Sequence, residues 1–131
     1  MLTLLRALSA IIGLGLFIFG LGWWVHPAEA ANILGATLLD GTGRTTQIGD
    51  SGAFFIGVGM MFLWGAIRRN PALMLAGGGL IGLVIPGRLL SAAIHGGSQT
   101  PDEIIAECVV SVLAIVTAAK TKQANNQAIF H

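Results

Sequence analysis

The stretch Gly82-Leu-Val-Ile-Pro-Gly-Arg88-Leu-Leu-Ser-Ala-Ala-Ile94 decides how this chain is built. It reads as the second half of a membrane-spanning helix, and it carries a guanidinium. Arg88 keeps its charge at any ordinary pH. A charge near the bilayer centre costs roughly 2.5–3.5 kcal/mol on insertion scales, so Arg88 is expected to face a bundle interior and to find an acidic partner. Pro86 removes one ladder hydrogen bond, which predicts a kink and a freed carbonyl at Gly82.

Composition places the rest of the chain in the same setting. Of 131 residues, 54% are hydrophobic and 10% charged, against roughly 25% charged in soluble domains. Mean hydropathy is +0.80 and there are 19 Gly, a residue commoner in membrane helices than in soluble ones. A formal net charge of +1 offers no basic patch suited to nucleic acid. The single cysteine, Cys108, lies in an apolar run and has no intrachain partner. No metal-ligand spacing, glycine-rich phosphate loop or nucleophile motif is present, so neither metal nor cofactor is expected.

The expected fold is all-α: a four-helix transmembrane bundle over residues 1–119, followed by a polar tail over 120–131. Leu4 to Val25, about 33 Å as a helix, is long enough to cross. Arg6 and Ala28-Glu-Ala30 give it some likeness to a signal peptide. The length of the apolar run and the interfacial Trp23-Trp24 pair favour a retained first span. Pro27 to Gly35 reads as a short interfacial helix, with Pro27 at its first position, Glu29 at its N-terminal dipole and Gly35 at its stop. A polar loop over 39–47 leads to a second span at about 48–67, with Asp50 in its first turn. Arg68-Arg69-Asn-Pro71 is a tight basic turn before the third span, about 71–94. Thr100, Pro101 and Glu103 form a capping-box signature that starts the fourth span, about 101–119. The tail from Lys120 to His131 is expected to be mobile or partner-bound. Gly13, Gly20, Gly57, Gly78 and Gly82 are the expected helix-packing positions, Gly57 as the end of a Gly49/Ala53/Gly57 stripe.

Basic charge sets the expected topology. Arg6, Arg68, Arg69, Lys120 and Lys122 fall on one side of four spans, against Arg44 in the opposite loops. The positive-inside rule then puts both termini in the cytoplasm, for a multi-pass protein of a bacterial inner membrane. Glu29, Asp40, Asp50, Asp102, Glu103 and Glu107 all lie on or near the outer side, so only outer acids can compensate Arg88. In the fourth span, Glu103, Glu107 and Ser111 are spaced by four and should face the bundle, while Ile105, Val109, Val112 and Val116 should face lipid. Helix rise puts both Glu107 and Arg88 about 9 Å inside the outer boundary. A buried polar cluster of Asp50, Arg88 and Glu107 is therefore expected, with Glu103 and His95 as possible additional members.

The order Pro27…Gly35, polar loop, Asp50-x-Gly52, Gly-Arg88-Leu and Glu107 resembles a family of small bacterial four-span membrane proteins known only as a domain of unknown function. The resemblance spans roughly Leu4 to Ala118. It differs from the family pattern at Gln47, where an arginine is common, and at His95, where an acid is common. It implies the four-helix membrane fold and no particular activity.

Two function classes follow. The first is a non-catalytic accessory or assembly subunit that packs small-residue faces against partner helices, with the Asp50/Arg88/Glu107 cluster fixing helix register. The second is a small proton-coupled carrier, or a protein binding lipid or a hydrophobic ligand, that uses the same cluster. In that case two carboxylates against one guanidinium invite a shared proton or a charge on His95. An enzyme would need a positioned acid–base pair, for which Glu107 with His95 is the candidate. Membrane lipid and other transmembrane helices, in a larger complex or a homo-oligomer, are the expected partners.

Overall fold

The computed structural model of the chain describes residues 1–129. Among them are five helices: α1 (Leu2–Val25), α2 (Pro27–Ile33), α3 (Gly41–Ile67), α4 (Pro71–Ile94) and α5 (Pro101–Ile129). The four long ones are each long and apolar enough to cross a membrane. They pack in the ring order α1, α3, α4, α5, with α2 folded onto the end of α1. Leu4, Ile11, Ile18, Leu83, Val109 and Val112 are exposed on the outside of the ring. In a bilayer such side chains meet lipid, and the backbone satisfies itself within each helix.

The α1–α3 pair is the tightest contact in the bundle, and glycine makes it possible. A Cβ on Gly13 would lie 2.7 Å from the Leu63 backbone nitrogen, and one on Gly59 would lie 2.5 Å from that of Phe17. Gly20, one heptad on from Gly13, is held as closely, 2.6 Å from the backbone nitrogen of Ile56. In lipid, where apolar side chains gain little by leaving their surroundings, such backbone approach is a main source of helix association. Beside this pair lies a core of Val58, Phe62, Met74, Ile81, Ala114 and Ala118. Gly78 packs as expected, since a Cβ there would stand 2.5 Å from that of Ala114, and the Ser111 hydroxyl beside it donates to the Gly78 carbonyl at 3.1 Å. Gly82 is in ordinary contact with Ser111. Within this bundle Gly57 does not pack: among the described residues nothing lies within 4 Å of a Cβ placed there, because α3 turns its Gly52/Gly59 side, not its Gly49/Ala53/Gly57 side, toward α1.

The end of the bundle that carries Met1 is closed by backbone carbonyls and one arginine. Arg69 adopts φ 52°, and the Asn70 N–H returns to the Gly65 carbonyl at 2.9 Å, the six-to-one bond of a Schellman stop. Arg6 donates from Nε and Nη2 to the Ala66 carbonyl at 2.8 and 2.6 Å. A cation thus sits on the negative end of α3, a role that nothing in the sequence around Arg6 announced. The Asn70 side chain then caps α4 by accepting from the Ala72 and Leu73 N–H groups. The expected break after residue 119 does not occur: α5 continues to Ile129, Thr121 is buried, and the Asn125 amide donates to the Arg69 carbonyl at 3.0 Å. Lys, Gln and Ala favour helix, and this contact docks the extension. Phe130 and His131, the end of the expected tail, lie outside the described residues.

At the opposite end α2 matches its expectation, stopping at Gly35 (φ 67°) with the Ala36 N–H bonded back to the Ala31 carbonyl. Trp23 is buried with Ala30 and Ala31 under α2, so that of the Trp23-Trp24 pair only Trp24 is exposed. From Gly41 on, the polar segment expected as a loop over 39–47 instead forms the first turns of α3. Arg44 ties it to the Leu39 carbonyl and to the Asp40 carboxylate, and Gln47 ties it to Leu39 and Thr37. At 27 residues, α3 is about 40 Å long, so these polar turns extend past a hydrocarbon core of about 30 Å.

Candidate functional site

Arg88 and Glu107 meet. Arg88 Nε donates to Glu107 Oε1 at 2.8 Å, and Arg88 Nη1 donates to the Thr100 hydroxyl at 3.3 Å. Helix rise on α4 and α5 sets both charged groups at one depth. The α4–α5 packing through Gly78 and Ser111 then turns them toward each other. Their side chains keep 27% and 14% of their exposure, so the pair is partly buried. α4 runs unbroken through Pro86, and its end at His95 precedes a turn with Gly96 at φ 70°.

The expected three-membered buried cluster does not form. Asp50 is exposed on α3, and among the described residues no ion pair or hydrogen bond reaches its side chain. The rotation of α3 that turns Gly52 and Gly59 inward leaves Asp50 outward. His95 is also exposed, beyond the last turn of α4, and no contact joins it to Glu107. Glu107 and His95, the candidate acid–base pair, are therefore not brought together. Glu103 is half-buried one helical turn before Glu107. Thr100, legible in the sequence only as a cap, stands directly before α5 and is also the second partner of the guanidinium.

The pair stands between two spaces. On one flank, Arg88, Leu89, Gln99, Thr100 and Ile104 border a cleft of about 440 Å³ between α4 and the start of α5. On the other lies a partly open pocket of about 240 Å³, to which all four long helices contribute. Its walls include Leu16, Phe54, Phe55 and Ile81, and its charged groups are Arg88, Glu103 and Glu107. Phe55 is held edge-on to Phe19 and Phe54, with ring centroids 4.7 and 5.3 Å apart. Glu107 Oε2 is buried and accepts no hydrogen bond from the described residues. Among the described residues no group of three or more His, Cys, Asp or Glu is arranged to hold a metal ion.

No protein-family model, curated protein or solved structure significantly matches this chain.

Proposed function

We propose that this chain is a small non-catalytic membrane subunit, accessory to or assembling with other transmembrane helices. The observation that carries this reading is the outward face of α3. Gly49 and Gly57 have nothing within 4 Å of a Cβ position, Ala53 lies exposed between them, and Met60 and Trp64 continue the same face 46% and 50% exposed. Gly13 and Gly20 of α1 and Gly52 and Gly59 of α3 are packed within the bundle, whereas this small-residue stripe is open to a neighbour that could approach closely. The proposal includes a bacterial inner membrane with both termini cytoplasmic, on the strength of the basic residues Arg6, Arg68, Arg69, Lys120 and Lys122. It also includes kinship with the small four-span family that the order of polar landmarks resembles.

Purification of the tagged chain from native membranes in mild detergent tests it. A larger partner in fixed stoichiometry is expected, released by Gly57→Leu with no fall in melting temperature. A chain that purifies without another polypeptide, under conditions that preserve known membrane complexes, overturns the reading. A second reading, a carrier or a binder of a hydrophobic ligand, is favoured by the four-helix pocket beside Arg88 and Glu107.

A further inference from the structure

The four-helix pocket holds an imbalance of charge. Glu103 and Glu107 bring two carboxylates to its wall and Arg88 brings one guanidinium, so one negative charge is uncompensated. Arg88 is committed to Glu107 Oε1 and to Thr100. Glu103 has no ion pair or hydrogen bond among the described residues. Glu107 Oε2 is buried and has no donor among the described residues, whereas the Glu103 carboxylate is only partly covered. A buried oxygen of this kind calls for a partner, because an unpaired buried acceptor carries its full desolvation cost. The remaining wall is apolar and aromatic, with Leu16, Phe54, Phe55, Ile81 and Val84.

We propose that this pocket binds a small lipophilic monocation, an organic ammonium group carried on an apolar body. The proposal rests on the second reading above, that the pocket is a ligand site, and adds the charge class of the ligand. A single positive charge brings the local balance to zero, where an anion would add a second uncompensated charge in a medium of low dielectric constant. The final carboxyl torsion of a glutamate is broad, so Glu107 can turn Oε2 toward an ammonium while Oε1 stays with Arg88. The Phe54 and Phe55 side chains in the wall offer apolar contact to its body. A hard metal cation would want six or more oxygen ligands, which two carboxylates in an apolar wall do not supply. Sites of this form, between the helices of a bundle with a few convergent polar groups, are a common location for small ligands.

The test uses the full chain in lipid nanodiscs, with empty nanodiscs as the control for partition into lipid. The probes are benzylammonium, its uncharged carbon isostere ethylbenzene, and phenylmethanesulfonate. Calorimetric titration should show saturable binding of the cation, one per chain, at least tenfold tighter than the isostere, with no saturable binding of the anion. Glu103→Gln should weaken cation binding about tenfold while leaving the melting temperature unchanged, because Glu103 supports no other side chain. Val84→Phe, which adds bulk to the wall, should abolish it. If the isostere or the anion binds as tightly as the cation, the ligand-site reading stands and the charge class is overturned. If none of the three binds saturably, both fall. Cation binding indifferent to both substitutions would place the site elsewhere and overturn the proposal.

Discussion

Arg88 shows how a permanent charge is accommodated when only part of its surroundings is protein. Its Nε and Nη1 have acceptors in Glu107 and Thr100, and the rest of the group borders the two spaces that flank it. Breaking a buried pair costs about 3–5 kcal/mol and an exposed one about 0.2–1 kcal/mol; partial burial puts this pair between them, at about 2 kcal/mol. Glu107→Leu and Arg88→Met should therefore each lower stability by about that much, measured by thermal or denaturant unfolding in detergent. The double variant should recover most of the loss, since two apolar side chains leave no charge behind. A double variant less stable than either single one would mean that the pair contributes more than mutual compensation. Asp50→Asn is the control. With no partner to lose, it should shift stability by less than about 0.5 kcal/mol, and a larger fall would reveal a contact for Asp50 absent from this fold.

At the scale of the helix, glycines that look alike in sequence divide sharply in space. Gly59 and Gly57 are two positions apart on α3, yet a Cβ on the first would press on the Phe17 backbone and a Cβ on the second would meet nothing. Backbone on the far side cannot move aside as a flexible side chain can, so Gly59→Ala and Gly13→Ala should cost about 1–3 kcal/mol by overpacking. Gly57→Ala should be neutral or slightly stabilising in the isolated chain, since alanine favours helix over glycine by up to about 1 kcal/mol. Melting curves of the three variants in one detergent check the ranking. Equal losses at Gly57 and Gly59 would show that the outward face of α3 is already covered. The continuation of α5 to Ile129 belongs to this scale too: Lys120 to Asn126 is polar by composition, but Thr121 and Asn125 give it a buried and a hydrogen-bonded anchor.

For the whole molecule, the antiparallel ring puts Arg6, the Arg68-Arg69 turn and Asn125 at one end, joined by the hydrogen bonds from Arg6 to Ala66 and from Asn125 to Arg69. Reporter fusions at residue 70 and at the C-terminus should therefore give the same signal, and the positive-inside rule makes it the cytoplasmic one. Opposite signals would break the four-span arrangement, whereas a shared periplasmic signal would reverse only the orientation.

What the sequence determined by itself is what composition and helix rise can carry. Low charge, many glycines and four apolar segments fix an all-helical bundle of membrane-spanning length. Pro27 and Gly35 bound the short helix, and the rise per residue levels Glu107 with Arg88 before any contact is seen. Tertiary structure decided the rotation of each helix about its own axis. α3 carries two small-residue faces, Gly52/Gly59 and Gly49/Ala53/Gly57, and nothing local says which one α1 will take. Once the first is buried, Asp50 is carried outward and Thr100 becomes the second partner of Arg88. Trp23 is buried for the same kind of reason, because α2 folds back over it. Depth in a membrane is a sum along one chain, which a sequence records. Azimuth is a choice between packings of similar local cost, made only when the helices close on one another.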